Sequence, residues 1–127
     1  KKAGKTIGYI KGAGDTVAEN LQQIGYNVTY INVNDITAEN LAKFDAIVTG
    51  IRAYNVLKAL EFKQDLLLDY VKNGGNLIVQ YNTSRNVKIL PPFPIKLSRD
   101  RVTDENAEVI IIDENHKLLI DFTLKFN

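Results

Sequence analysis

The chain has no cysteine, no methionine and no tryptophan, and it has one histidine among its 127 residues. Without cysteine it has no disulfide, no thiolate metal ligand and no cysteine nucleophile. No apolar run approaches the roughly 20 residues that a membrane-spanning helix needs. The 16 basic and 15 acidic residues are interspersed and give a formal net charge of +1. This balance indicates neither a nucleic-acid-binding surface nor a polybasic membrane patch.

What the chain does contain is typical of one globular domain. Its length is that of a single domain, and its 45% hydrophobic and 24% charged residues are ordinary fractions. No internal repeat divides it, so we predict a single α/β domain over residues 1–127. The sequence begins "KKAGKT" without methionine, and we expect it to be part of a longer protein. The sequence does not identify the cellular compartment, and an extracytoplasmic location is expected only if that protein carries a signal peptide.

Short apolar runs alternate with helical patterns over the first two thirds of the chain. Four runs predict strands, at 5–10, 27–32, 45–50 and 76–82. Helical periodicity predicts three helices between them, at 16–24, from Thr37 onward, and at 56–72. This alternation predicts βαβ units and a mainly parallel sheet of order 2-1-3-4. The expected fold is a flavodoxin-like three-layer sandwich, with further strands near the C-terminus.

Local signals place the ends of the first two helices. Thr16 and Glu19 have the spacing of a capping box, which predicts that Thr16 caps the first helix. Thr37 is the predicted cap of the second helix, with Ile36 and Leu41 at the two staple positions. Glycines after the first and third helices predict their ends.

The pattern changes after Asn82. Three prolines and little periodicity follow, with two possible edge strands at 87–90 and 95–98. The run "VIIID" at 109–113 predicts a strand, and "KLLIDFTLKF" at 117–126 predicts either a strand or a helix. In the third helix, Leu60, Leu67 and Val71 form the expected apolar stripe.

The order of the sheet predicts where a site would lie. In open parallel sheets, ligands bind beyond the carboxyl ends of the strands, where the strand order reverses. The loops there are "KGAGD" after strand one and "GIRAYN" after strand three, with "QYN" at the end of strand four. The candidate ligand-binding residues are therefore Asp15, Arg52, Tyr54, Asn55, Gln80, Tyr81 and Asn82.

Two interpretations of these residues stay open. In the first, Arg52 offers a forked cation to a carboxylate or to sugar hydroxyls, and the tyrosines offer stacking surfaces. In the second, the cluster is purely structural: Arg52 pairs with Asp15 or another acid, Tyr54 packs as a half-buried aromatic, and Asn55 caps the following helix.

Specific chemistries find weak support in the sequence. Gly12 and Gly14 match the first two glycines of a dinucleotide fingerprint, but Val17 occupies the third position. A nucleophile elbow at the end of strand four would place Tyr81 at the nucleophile position. A hydrolase using Thr83, Ser84 or a Tyr81-assisted step remains an alternative, although the one histidine, His116, lies in a polar turn. The acidic turns lack metal-binding spacing, so no metal and no cofactor is predicted.

Several segments together resemble a known family. They are "IGYIKGAGD", "GYNV", "FDAIVTGIRAYN", "YVKNGGNLIVQYN" and "RVTDENAEV". The chain from about Lys5 to His116 resembles the accessory domain of large bacterial LmbE/PIG-L-type deacetylase proteins. That domain belongs to the class I glutamine amidotransferase-like superfamily, which has a flavodoxin-like fold. The final "LLIDFTLKFN" departs from the family pattern.

The resemblance implies a binding role rather than catalysis. The zinc-dependent deacetylase of such proteins is a separate domain, whose His-Pro-Asp-Asp motif is absent from this chain. Tyr81 stands where a true amidotransferase has its cysteine, which implies that glutaminase chemistry is lost. The implied partners are a carbohydrate-type ligand or the neighbouring deacetylase domain of the same protein.

Overall fold

The computed structural model describes residues 4–83 and 100–117. The strands are β1 (Thr6–Ile10), β2 (Asn27–Tyr30), β3 (Ala46–Thr49) and β4 (Asn76–Val79). The helices are α1 (Val17–Gln23), α2 (Ala38–Leu41), α3 (Ala53–Val56) and α4 (Gln64–Lys72). Two 3₁₀ segments lie at Val33–Asp35 and Lys58–Lys63. Within the described ranges, no helix is long and apolar enough to cross a membrane.

The four strands form one all-parallel sheet of order β2-β1-β3-β4. This confirms the predicted α/β class and strand order, and the architecture is that of a flavodoxin-like sandwich. The register pairs Ile10 with Thr49, and Thr49 with Val79. Strands β1, β3 and β4 therefore end level with one another, and the loops that follow them begin at one edge of the sheet.

Apolar side chains pack on both faces of the sheet at its two inner strands, β1 and β3. On the side of α2 and α4, the core includes Ile10, Ile47 and Leu67. On the side of α1, Tyr9 and Val48 belong to a second cluster. The two inner strands, β1 and β3, are buried on both faces, which accounts for their nearly continuous apolar runs.

Both helices begin where predicted, directly after Thr16 and Thr37, but the predicted side-chain cap is confirmed only for α2. The Oγ1 of Thr37 accepts a hydrogen bond from the Asn40 amide at 3.2 Å. Thr16 makes no such side-chain bond. Instead the Asp15 carboxylate, one residue earlier, accepts the Val17 amide at 3.0 Å. A charged acceptor in reach of the first turn replaces the hydroxyl that the capping-box spacing had predicted.

The predicted continuous helix over 56–72 is also wrong. Leu57 leaves the helical conformation at φ −102° and ψ 80°, and a 3₁₀ segment joins α3 to α4. The helical phase restarts at α4, so Tyr70 is buried and Val71 is 41% exposed. Leu60 and Leu67 are buried as predicted. Periodicity measured across the break had assigned Val71 to the wrong face.

The predicted strand at 109–113 does not form in the described part of the chain. A strand needs a neighbour that accepts and donates along its backbone, and no described strand pairs with this segment. Ile110 is 80% exposed and Ile112 is 98% exposed. Asp113 begins a turn, in which its carboxylate accepts the Asn115 amide at 3.1 Å. The possible edge strands at 87–90 and 95–98, and nearly all of 117–126, lie outside the described residues.

Candidate functional site

The segments after β1, β3 and β4 meet at one edge of the sheet and carry all seven predicted residues, of which Tyr54 and Asn55 lie in α3. The Ala13 amide donates to the Ile51 carbonyl at 2.8 Å, which joins the first loop to the second. The Arg52 amide donates to the Tyr81 carbonyl at 2.7 Å, which joins the second loop to the third. The β3 loop is therefore held by backbone bonds on both sides.

Two glycines allow the first two loops to touch. A Cβ on Gly12 would collide with the carbonyl oxygen of Ile51 and lie 2.9 Å from the Ala53 nitrogen. A Cβ on Gly50 would lie 2.8 Å from the Gly12 nitrogen. The close approach of these loops therefore depends on the missing side chains.

Asp15 ties this edge together. Its carboxylate accepts hydrogen bonds from the Tyr9 hydroxyl, from the Val17 amide and, at 3.0 Å, from the Ile51 amide. Partial burial opposes ionisation, but the hydrogen bonds from Tyr9, Ile51 and Val17 outweigh it and lower the pKa of Asp15. Both carboxylate oxygens are thus engaged within the fold.

Tyr9 extends this network to β4. The Gln80 side-chain amide donates to the Tyr9 hydroxyl oxygen at 2.8 Å, and that hydroxyl donates to Asp15. Burial, together with the bond to Asp15, raises the pKa of Tyr9. Tyr9 is the functional residue that sequence reasoning missed. Its place in an apolar strand gives no local signal beyond the need of a buried tyrosine hydroxyl for a partner.

Tyr54 and Asn82 lie inside the fold rather than on its surface. The Tyr54 amide donates to the Asn82 side-chain oxygen at 3.2 Å, and the Asn82 side chain donates to the Gln80 carbonyl at 2.8 Å. The Tyr54 hydroxyl donates to Gln64 at 2.7 Å, and burial raises the pKa of Tyr54 to about 12. Tyr54 is 8% exposed, so its ring offers no stacking surface to a ligand.

Asn55 fixes the loop that follows β4. Its side chain donates to the Thr83 carbonyl at 3.1 Å and accepts the Thr83 amide at 2.9 Å. This pairing imitates the two bonds that a neighbouring strand makes. Asn55 lies within α3 rather than at its cap.

Arg52 is the exposed residue at the centre of this framework. It precedes α3 at φ 58° and ψ 24°, the one non-glycine residue with a positive φ in the described ranges. Within those ranges its guanidinium makes no ion pair, since the salt bridge seen there joins Lys72 to Asp69. The structural interpretation in which Arg52 pairs with Asp15 is therefore contradicted. Tyr81, whose carbonyl holds the Arg52 amide, is 64% exposed.

The elbow geometry of a nucleophile does not form at Tyr81. Residues 80–83 follow β4 without entering a helix, whereas an elbow requires a sharp turn from strand to helix. In the part of the chain that the structure describes, no hydrogen bond joins the hydroxyl of Tyr81 or Thr83 to a base. Ser84 lies outside the described residues, and the His116 amide closes the turn that begins at Asp113.

Neither metal chemistry nor a known relative supplies a further clue. No three histidine, aspartate or glutamate side chains gather into a possible metal site within residues 4–83 and 100–117. Comparison with protein-family models, with curated proteins and with solved structures finds no match to this chain. The geometry of this edge of the sheet is therefore what indicates a function.

Proposed function

We propose that the chain is a non-catalytic, amidotransferase-like module of a larger LmbE/PIG-L-type protein. It binds a polar, carbohydrate-type ligand at this edge or docks the neighbouring deacetylase domain there. The observation that carries the proposal is the state of Arg52: exposed, without an ion-pair partner in the described ranges, and held by its amide on the Tyr81 carbonyl.

The polar residues at this edge divide into a frame and a contact surface. Asp15, Gln80, Asn55 and Asn82 make hydrogen bonds within the protein. They fix the backbone of the three loops. Arg52 and Tyr81, in contrast, are exposed on that fixed backbone. A contact surface that is already ordered loses less entropy when it binds.

The backbone of Arg52 supports the same interpretation. A left-handed conformation costs a residue with a side chain roughly 1–2 kcal/mol, and glycine adopts it with little penalty. Folding of this loop therefore does not require an arginine. Strained residues held in this way occur often at binding sites.

Replacement of Arg52 by glycine separates folding from binding. We expect the free energy of unfolding of Arg52→Gly, measured by urea denaturation, to equal that of the wild type or to exceed it by up to about 1 kcal/mol. Lys72→Ala, at an exposed pair at the end of α4, is the control for loss of one surface cation. A clear loss of stability in Arg52→Gly alone would show that the guanidinium supports the fold.

The binding proposal is tested by amide NMR spectra of the labelled protein. We expect N-acetylglucosamine, glucuronate or the purified deacetylase domain of the same protein to shift signals in residues 50–55 and 80–83. Arg52→Gly should lose those shifts, and Lys72→Ala should keep them. If none of the three additions shifts these signals, the proposed function is wrong.

The hydrolase alternative has no comparable support. No contact in the described residues activates the hydroxyl of Tyr81 or Thr83, and the backbone of Thr83 is already paired with Asn55. A general base must lie within hydrogen-bond reach of the group that it activates.

A further inference from the structure

We infer that the ligand of this edge is a carboxylate-bearing small molecule, held by the fork of Arg52. The inference rests on the proposed function and narrows it to one chemical class. It depends on what surrounds Arg52: the donors that are still free, the acidic groups that are already engaged, and the amides that are already bonded.

The acidic groups along this edge already have other donors. Asp15 is held by Tyr9 and by two backbone amides. Glu19 accepts the Tyr30 hydroxyl at 2.9 Å. Tyr30 is on β2, the strand at the other side of the sheet from β4. Arg52, whose loop is bonded to the segment after β4, thus has a full positive charge and five donors with no carboxylate in the described ranges.

The backbone of the Arg52 turn favours a carboxylate over a phosphate. Phosphate sites commonly add several free amides to a cation. In the Arg52 turn the amides are already used: Ile51 donates to Asp15, Arg52 to Tyr81, and Ala53 to Gly50. One planar guanidinium without an amide nest matches the two oxygens of a carboxylate.

Tyr81 adds a flat surface on the adjoining loop. Its side chain is 64% exposed, and its carbonyl oxygen lies 2.7 Å from the Arg52 nitrogen. We expect a ring that carries a carboxylate to be held by the fork of Arg52 and to pack on the aromatic face of Tyr81. Glucuronate has both the ring and the carboxylate, whereas glucose has the same ring with a neutral hydroxymethyl group in place of the carboxylate.

The test compares glucuronate, glucose and glucose 6-phosphate by amide NMR titration of the whole chain. We expect glucuronate to shift residues 50–55 and 80–83 and to bind at least about tenfold more tightly than glucose. Arg52→Lys, which keeps the charge without the fork, should lower the affinity for glucuronate by about tenfold, and Arg52→Gly should abolish glucuronate binding.

Lys11→Ala is the matched control. Lys11 is an exposed cation on the same edge, but its ammonium lies 5.9 Å from the ring centroid of Tyr30, on the side of β2. Its removal changes the overall charge as Arg52→Gly does, so we expect the affinity for glucuronate to change by no more than about twofold.

Each other result overturns the inference in a recognisable way. Equal binding of glucose and glucuronate would show a site for hydroxyl groups, and the proposed function would stand without the carboxylate. Tighter binding of glucose 6-phosphate than of glucuronate would show that the site prefers a phosphate to a carboxylate. Equal losses in Lys11→Ala and Arg52→Gly would show attraction by net charge alone. The absence of any shift would reject the carboxylate and count against the sugar-binding function.

Discussion

Gly12→Ala is expected to lower the free energy of unfolding by about 3 kcal/mol or more. The added Cβ would overlap the carbonyl oxygen of Ile51, and its other close neighbour is the Ala53 nitrogen at 2.9 Å. Both atoms belong to the backbone, so no side chain can rotate to relieve the overlap. The two loops must separate, which would break the bond from Ala13 to Ile51 and leave strained packing at the edge.

Gly14→Ala is the control for this prediction. Gly14 lies two residues away with φ +110°, and a Cβ built there meets nothing within 4 Å. Its cost is therefore confined to backbone conformation, about 1–2 kcal/mol. Urea denaturation of both variants measures the difference. Equal losses in the two would mean that the loops after β1 and β3 are not in the close contact described above.

Asp15→Ala is expected to lower the free energy of unfolding by about 2 kcal/mol. The substitution leaves three donors without their acceptor: the Tyr9 hydroxyl and the amides of Val17 and Ile51. Hydrogen bonds to charged groups contribute about 1.5–3 kcal/mol each when buried. We expect the total to stay near the lower end because water reaches this half-buried site. A loss within about 0.5 kcal/mol of zero, measured by urea denaturation, would contradict the network.

The pH dependence of stability provides an independent check on Asp15. Its pKa is lower in the folded protein than its ordinary value. Its contribution is therefore fully present above the unfolded pKa of about 4 and is lost as the pH falls through the folded pKa. Asp15→Asn, which cannot ionise, should flatten this part of the profile. An unchanged acid profile in Asp15→Asn would show that the Asp15 charge does not stabilise the fold.

The sheet was predictable from the sequence because its signals are local. Four apolar runs separated by helical patterns predict a parallel sheet, and the ends of α1 and α4 follow from Gly25 and Gly74, which have φ of 90° and 94°. Residues distant in sequence, such as Asp15 and Gln80, could be assigned to one edge because strand order determines which loops are neighbours.

The rest depended on contacts that no local pattern records. Tyr9 is linked to Gln80 across 71 positions of sequence, and nothing near either residue indicates this bond. The helix break at Leu57 changed the buried face of α4. The run at 109–113 has the composition of a buried strand, but composition supplies no neighbouring strand. The same limit applied to Asp15, which accepts hydrogen bonds from Tyr9, Val17 and Ile51 and makes no ion pair with Arg52.

The most direct test of the central claim is a glucuronate titration of the wild type and of Arg52→Gly, followed by amide NMR. The claim is that a rigid frame of three loops presents Arg52 to a ligand. It predicts saturable shifts confined to residues 50–55 and 80–83 in the wild type, and none in a variant that remains folded. Shifts of the same size in Arg52→Gly, or no shifts in either protein, would contradict it.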